Sequence, residues 1–202
     1  MGKDHPDPKH QQEPLLAGVA FAKECRGFRR GDLVAFTEGV TIIAGDQGTG
    51  KSTLVEAIRA TCLSERDLEK RWRSVNIPKK EAEKTVQLIV RKPFKLVSID
   101  FERDSLRGQT HLIEDIDPAL QLAAMRCSHG EASLVFIRNL ETYVSSTPTL
   151  FLLDEPDGNL CARQVYRLIR AFRRLAENGH QVIAIAHNPL FIAGRIPKDR
   201  HP

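Results

Sequence analysis

The sequence has no apolar run long enough to cross a bilayer, which requires about 20 consecutive residues. Its apolar pieces are short, such as VIAIA and LVFI. The polar N-terminal stretch MGKDHPDPKHQQEP lacks the apolar core of a secretory signal. These absences argue against a membrane-spanning helix and a secretory leader. They predict a cytoplasmic protein whose residues 1–14 form a disordered leader.

Cysteine is scarce, and its spacing is unpaired. Cys25, Cys62, Cys127 and Cys161 are scattered along the chain, and no internal repeat is present. This spacing argues against a disulfide framework and against a zinc site built from paired ligands. It predicts reduced, buried thiols.

Core-forming residues are present in ordinary measure. With 202 residues, of which 41% are hydrophobic and 28% charged, the chain is long enough for one domain with a sizeable core. The net charge of +4 permits contact with nucleic acid or an anionic cofactor without requiring either. We therefore expect a single domain over residues 15–202, with a charged helical insertion at about 62–85.

Strand-like and helix-like patterns alternate along this domain. Three continuous apolar runs predict strands that are buried on both faces: VTIIA (40–44), TLFLLDE (149–155) and QVIAIA (181–186). Helical periodicity marks STLVEAIRATC and residues 162–177, and Asn178-Gly179 ends the second of these helices. The other expected elements are a hairpin at 15–36, strands at 86–92 and 94–101, and two exposed helices in the charged segment 64–85. This order predicts an α/β fold with a mostly parallel sheet flanked by helices and an N-terminal antiparallel hairpin.

The string GDQGTGKS, from Gly45 to Ser52, fits the phosphate-loop pattern G-x-x-x-x-G-K-[ST] between a predicted strand and a predicted helix. Glycines let backbone N–H groups turn around an anion, and the helix N-terminus adds partial positive charge. We expect Lys51 to reach the β- and γ-phosphates and the Ser52 hydroxyl to ligate Mg²⁺. The predicted nucleotide site consists of Asp46, Gln47, Gly48, Thr49, Gly50, Lys51, Ser52 and Thr53.

Two adjacent carboxylates end the strand in FLLDEP, at the sheet edge where open parallel sheets bind ligands. We expect Asp154 to hold Mg²⁺ through a water and Glu155 to orient and deprotonate the attacking water. The alternative is an acid pair that caps the next helix. His187, at the end of AIAH, reaches the same edge, where a neutral imidazole would hydrogen-bond the γ-phosphate and the water. The predicted catalytic residues are therefore Lys51, Glu155 and His187.

In their order along the chain, GDQGTGKS, SHGE, FLLDEP, DGNL and AIAH resemble the motifs of the ABC-type ATPases. This superfamily contains transporter cassettes and SMC- and RecF-like DNA-maintenance ATPases. The resemblance covers roughly residues 18–190. It implies a P-loop NTPase fold, ATP and Mg²⁺ as ligands, and hydrolysis of ATP to ADP and phosphate.

The resemblance also identifies Cys127-Ser128-His129-Gly130-Glu131 as the family's signature segment. In the family this segment begins a helix, here expected at about 128–144, and closes over the γ-phosphate bound to a partner subunit. ATP would then be sandwiched in a homodimer between the phosphate loop of one subunit and Ser128, His129, Gly130 and Glu131 of the other. His129 replaces a glycine of the common signature, and Glu131 replaces its glutamine.

Further family positions follow from the same resemblance. Asp157 in DEPDGNL matches the D-loop, which crosses the dimer interface, and Gln109 in LRGQTHL is the candidate for the glutamine that senses Mg²⁺. Gln87 is the poorer candidate because it lies in a predicted strand. Phe21 and Phe28 are candidates for stacking on adenine, with the core as the alternative. The predicted metal set is Ser52, Asp154 and Gln109.

The stretch before the phosphate loop resembles the RecF/SMC-like group more than transporter cassettes. In that group a Phe–Arg pair on an N-terminal hairpin precedes the loop and the basic residue approaches the nucleotide. The candidates here are Arg26, Arg29 and Arg30, with a solvated hairpin tip as the alternative. Ser52 and Ser128 lie too close in the sequence for a long coiled-coil arm, and we expect no further domain after His187.

The sequence thus predicts a compact, standalone ATPase that ATP closes into a homodimer and hydrolysis reopens, acting on a nucleic acid or protein partner. The arginines of RLIRAFRRL and the basic segment 66–80 are the candidate nucleic-acid contacts, with plain surface charge as the alternative. Three other functions stay open: a nucleotide-gated switch or adaptor with little hydrolysis, a subunit that energises a separate permease, and a small P-loop kinase. A kinase would leave the signature segment and His187 unexplained.

Overall fold

The structure, a computed structural model, describes residues 13–63, 78–101, 129–158 and 160–192. Several predicted features lie outside these ranges: most of the leader, the first of the two charged helices, Gln109 and Ser128. Within the described ranges, no helix is long and apolar enough to span a membrane.

In chain order, the elements are β1 (Leu16–Phe21), β2 (Leu33–Ala35), β3 (Val40–Ile43), α1 (Lys51–Cys62), α2 (Lys79–Thr85), β4 (Val86–Val90), β5 (Lys95–Asp100), α3 (His129–Thr142), β6 (Thr149–Asp154), α4 (Ala162–Glu177), β7 (Gln181–Ile185) and α5 (Pro189–Ile192).

A four-stranded parallel sheet in the order β3–β7–β6–β5 forms the centre of the fold. Every residue of β6 and β7 is buried, as their continuous apolar sequences predict. Phe151 and Leu153 belong to a core shared with α3 and α4, whereas Leu150 and Leu152 belong to a second core shared with α1 and β1. The predicted mostly parallel sheet flanked by helices is confirmed.

The N-terminal hairpin belongs to a second sheet. Strands β2, β1 and β4 pair antiparallel in that order, so the strand on one side of Pro93 joins this sheet while β5, on the other side, joins the parallel sheet. The predicted hairpin is confirmed. Sequence periodicity did not predict that the two strands around Pro93 separate into different sheets.

The buried Gln181 side chain joins the two sheets. It is 1% exposed, and its Nε2 donates to the carbonyl oxygens of Leu16, at 3.0 Å, and Thr37, at 2.9 Å. Its Oε1 accepts from the Leu16 N–H at 2.8 Å. One amide therefore satisfies three backbone groups where β7 begins. This is the amino end of the parallel strands, and the predicted site residues lie at the opposite, carboxyl end.

Three sequence expectations are wrong in detail. Strand β3 was expected to be buried on both faces, but it lies at the edge of the four described parallel strands and its residues are half-buried. Helix α2 was expected to be exposed, but Ala82 and Thr85 are buried, because the helix packs against α1. The thiols were expected to be buried, yet Cys161 is exposed. Burial raises the pKa of the half-buried Cys62 thiol to about 11.

Candidate functional site

The carboxyl ends of the parallel strands bring the predicted site residues to one edge. Strand β3 leads into the phosphate loop, β6 ends at Asp154 and β7 leads to His187. Since β7 lies between β3 and β6, these three ends are neighbours. Strand β5 adds Asp100, which pairs in register with Asp154. The arrangement is that of a ligand site at the carboxyl edge of an open sheet.

The phosphate loop has the conformation that its glycines allow. Gly48 and Gly50 have φ angles of 83° and 91°, in the left-handed region that side chains disfavour. Helix α1 begins at Lys51 without a side-chain cap, so its first N–H groups are available to an anion. The Lys51 ammonium donates to the carbonyl oxygens of Gly45 at 2.9 Å and Asp46 at 2.7 Å, which holds its charge at the loop.

The hairpin tip packs directly on the phosphate loop. A Cβ on Gly50 would lie 2.5 Å from the Arg26 carbonyl oxygen, and one on Gly27 would lie 2.9 Å from the Thr49 carbonyl oxygen. Only glycines permit this approach of two backbones. The candidate basic residues Arg26, Arg29 and Arg30 are exposed beside this contact.

The two aromatic candidates for adenine contact pack on each other. The rings of Phe21 and Phe28 stack with centroids 4.1 Å apart and an interplanar angle of 8°. Phe21 is 1% exposed and belongs to the core that lies between the parallel sheet and α1. For Phe21 the alternative interpretation, a core residue, therefore holds. Phe28 is half-buried at the hairpin tip.

Asp154 lies beside Ser52 in a buried, acidic surrounding. Its pKa is raised to about 6, first by burial and then by the nearby Asp100 and Glu155, while the Arg59 charge and the Ser52 hydroxyl act in the opposite direction. The Asp154 carboxylate is 6% exposed, and its Oδ1 has no hydrogen-bond partner among the described residues. Such a buried acceptor suits a cationic ligand.

The donor set fits Mg²⁺ held together with a phosphorylated substrate. A hydroxyl and a carboxylate are hard oxygen ligands, which Mg²⁺ prefers, and Mg²⁺ commonly takes its other ligands from water and substrate phosphates. The described residues contain no cluster of three or more acidic, histidine or cysteine side chains able to hold a metal alone. Ser52 and Asp154 would therefore hold Mg²⁺ only together with further ligands, such as water and substrate phosphates.

Glu155 and His187 contact each other at the same edge. Glu155 Oε1 lies 3.1 Å from His187 Nε2, and both side chains are partly exposed, at 41% and 47%. Glu155 has a φ angle of 55°, and it has the only positive φ among the described non-glycine residues. Its N–H donates to the Ile185 carbonyl oxygen at 3.1 Å. This unusual backbone aims the carboxylate at the strand end that carries the imidazole.

Asp157 has a role within its own chain that the sequence did not predict. The carboxylate is 8% exposed, and its Oδ2 accepts from the backbone N–H groups of His187, at 3.0 Å, and Asn188, at 2.6 Å. The turn after Glu155 is thus tied to the segment that carries His187. The predicted role of Asp157 across a dimer interface stays a prediction.

The signature segment is only partly described. Helix α3 begins at His129 and ends at Thr142, against the expected 128–144. Ser128 and the side chains of His129, Gly130 and Glu131 lie outside what the structure describes. Their contact with a partner's nucleotide stays a prediction.

Sequence reasoning missed two charged residues at this edge. Asp100 ends an apolar strand as Asp154 does, so the rule that selected Asp154 also applies to it. Arg59 lies in α1 and is 1% exposed. No local sequence pattern distinguishes it from an exposed helical arginine.

Comparison with known proteins adds a family and several relatives. A family model described as an AAA domain, AAA_23, matches residues 22–146. A putative ABC transporter ATP-binding protein of Methanosarcina acetivorans is 24% identical over 173 residues, which cover 78% of this chain and 33% of that protein. A Bacillus cereus protein of the same name is 30% identical over 169 residues, which cover 75% of this chain and 30% of that protein. This chain therefore spans about a third of the length of these curated relatives.

Two solved structures superpose on the chain at low sequence identity. UvrA2 from Deinococcus radiodurans aligns with a TM-score of 0.55 and 16% identity, over 95% of this chain and 36% of that one. The SMC head domain from Thermotoga maritima aligns with a TM-score of 0.49 and 17% identity, over 88% of this chain and 91% of that one. The likeness to UvrA2 concerns the fold alone.

Proposed function

Because the chain belongs to the AAA_23 family of AAA domains, we propose that it binds Mg²⁺ and ATP at the carboxyl edge of its parallel sheet and hydrolyses the ATP to ADP and phosphate. The predicted P-loop fold and the resemblance to ABC-type ATPases are confirmed. The observation that carries the proposal is that the phosphate loop with Lys51, which follows β3, and the acid pair Asp154 and Glu155, which ends β6, lie at the same edge of the sheet, on either side of β7.

The phosphate loop would bind the triphosphate. The uncapped N–H groups of α1 and the Lys51 ammonium are donors for phosphate oxygens. Ser52 and Asp154 would hold Mg²⁺, since the Ser52 hydroxyl is close enough to lower the pKa of the Asp154 carboxyl and Asp154 Oδ1 is an unused acceptor. Bound Mg²⁺ would supply positive charge that offsets the charge on the phosphate oxygens.

Glu155 is the proposed general base. A water attacks the γ-phosphorus, the bond from that phosphorus to the bridging oxygen of ADP breaks, and the water's proton passes to the Glu155 carboxylate. The hydrogen-bond distance of 3.1 Å from Glu155 Oε1 to His187 Nε2 fits His187 as the residue that fixes this carboxylate and contacts the γ-phosphate. Asp157 fixes the His187 backbone in turn.

The proposed active form is a homodimer in which the signature of one subunit closes over ATP on the other. The family resemblance supports it, and so does the start of α3 at His129, because a helix N-terminus beside Ser128 and Gly130 would attract the γ-phosphate. The link from Asp157 to His187 would connect the interface to the hydrolytic site. The cytoplasmic location and the nucleic acid or protein partner stay predictions.

Glu155→Gln tests this function. We expect turnover to fall by about 10²- to 10⁴-fold while ATP binding persists, so that Mg-ATP traps a dimer in size-exclusion chromatography. Lys51→Ala is the matched control, since it should lose both ATP binding and the ATP-dependent dimer. A Glu155→Gln protein that hydrolyses ATP like the wild type contradicts the role of Glu155, and one that stays monomeric with Mg-ATP contradicts the sandwich.

Two other functions are outcomes of the same experiment. If the wild type turns over no faster than Glu155→Gln yet dimerises with ATP, the protein is a nucleotide-gated switch or adaptor. The names of the two curated relatives favour a subunit that energises a separate permease. For that function, adding the candidate permease should raise ATP turnover.

A further inference from the structure

A buried arginine lies beneath the acidic edge of the sheet. Arg59 is 1% exposed, and its Nε donates to Ser98 Oγ at 2.7 Å. Its Nη1 and Nη2 are buried and have no hydrogen-bond partner among the described residues. Burying a guanidinium is costly unless opposite charge compensates it. The position of Arg59 therefore calls for nearby anions.

The anions lie at the ends of two neighbouring strands. Ser98, which holds Arg59, is two residues before Asp100 on β5, so both side chains point to the same face. Asp100 is 5% exposed and pairs in register with Asp154. Arg59 is close enough to Asp154 for its charge to lower the pKa of that carboxyl. Two buried carboxylates thus lie side by side above one buried guanidinium.

Helix α1 connects this guanidinium to the phosphate loop. Ser52, Glu56 and Arg59 occupy positions i, i+4 and i+7, which share one face of a helix. The Ser52 hydroxyl is near enough to Asp154 to lower the pKa of that carboxyl, and Glu56 is a third buried carboxylate, at 4% exposure. The helix that opens the phosphate loop thus carries a hydroxyl at its start and a guanidinium two turns later on the face that lies towards the acidic strand ends.

We propose that Arg59 is a positioning residue for the metal site: its buried guanidinium holds the Asp100 and Asp154 carboxylates together and keeps Asp154 facing Ser52. The inference rests on the proposed function, because it assigns Arg59 to the site where Mg²⁺ would bind. Without this cation, the adjacent acids repel each other and Asp154 turns away from Ser52. The Ser52 hydroxyl and the Asp154 carboxylate are then no longer placed to bind the same Mg²⁺ ion.

Simple charge attraction predicts the opposite sign. Removing a positive charge beside a metal site would by Coulomb's law strengthen the binding of a divalent cation. A positioning residue that is lost instead weakens metal binding, typically by about 10- to 100-fold for residues that orient metal ligands. The direction of the change therefore separates positioning from mere electrostatics.

The test measures the affinity of the full chain for a fluorescent ATP analogue with Mg²⁺ and with EDTA. The Mg²⁺ gain, the ratio of the two affinities, should fall by about tenfold in Arg59→Met. Arg59→Lys keeps the charge and should retain most of the gain. The Arg59→Met/Asp100→Asn double variant removes one repelling acid with the cation and should recover much of it. Circular dichroism checks that each variant is folded.

Every outcome decides the proposal. An unchanged or larger Mg²⁺ gain in Arg59→Met overturns it. If Arg59→Met does not fold, the double variant and Arg59→Lys are compared with the wild type instead. If neither of these folds, the proposal is also overturned, since Arg59 would then be needed for the core itself. A wild type without any Mg²⁺ gain instead contradicts the proposed function, which keeps the two failures distinct.

Discussion

The two ends of the parallel sheet are built from the same apolar strands but differ in how well their polar groups are satisfied. At the carboxyl end, Glu155 has a φ angle of 55° and Asp154 Oδ1 is buried without a hydrogen-bond partner among the described residues. At the amino end, Gln181 makes three hydrogen bonds. There His180 Nδ1 accepts from the Thr149 N–H at 3.2 Å.

This difference indicates where the chain stores unfavourable free energy and why. Strained backbone and unpaired buried polar atoms reduce stability, and proteins keep them mainly at functional sites. The amino end has no such feature among these residues, so its hydrogen bonds serve to hold the two sheets together. Substitutions at one end should therefore change activity, and substitutions at the other should change stability.

The largest expected effect is that of Glu155→Gly at the carboxyl end. Turnover should fall by about 10²- to 10⁴-fold with the loss of the general base. The free energy of unfolding should rise by about 1 kcal/mol, because glycine accepts the positive φ without strain and one acid beside Asp154 is removed. ATPase assays and urea denaturation measure the two changes.

Glu155→Gln is the matched control, because it also removes the base but keeps a side chain at the positive φ. It should lose turnover without the full gain in stability. If Glu155→Gly unfolds at lower urea concentration than Glu155→Gln, the backbone at this position is not strained and the contrast between the two ends weakens.

The next effect is that of Gln181→Ala at the amino end. The variant leaves two backbone groups of Leu16 and one of Thr37 without their partner. It should lose about 3 kcal/mol of unfolding free energy, at about 1 kcal/mol or more for each group. The affinity of the folded protein for ATP should not change. Urea denaturation and nucleotide titration provide the two measurements.

Gln87→Ala is the control for this loss of stability. Gln87 is exposed on β4, so removal of its side-chain amide should not leave a buried backbone group without a hydrogen bond. Its unfolding free energy should stay near that of the wild type. A Gln181→Ala protein that is as stable as Gln87→Ala would show that the two sheets hold together without the Gln181 amide.

The same contrast explains what the sequence could predict. GDQGTGKS, Asp154 and His187 were recognisable because their chemistry follows apolar strands directly, and parallel strands end at one edge. Arg59 and Gln181 were not recognisable, because their importance depends on what the fold places against them. A lone arginine in a helix and a glutamine before an apolar run have no local pattern that distinguishes a buried side chain from an exposed one. The edge position of β3 likewise depends on strand order, which periodicity does not encode.

The smallest expected effect is a pH dependence from His180 at the amino end. Burial lowers the pKa of His180 from its usual value, so below about pH 6.5 the unfolded chain binds a proton more readily than the folded one. The contribution of neutral His180 to the free energy of unfolding is complete above this pH and is lost as the pH falls towards the folded pKa.

Asp154 changes the free energy of unfolding in the opposite direction, because its raised pKa makes the folded chain the better proton binder below about pH 6. His180→Asn should therefore be compared in an Asp154→Asn background, where its unfolding free energy should depend less on pH between about 5 and 7. An equal dependence with and without His180 would mean that protonating this imidazole does not disturb the amino end, and the hydrogen bond from Thr149 would then contribute little to its stability.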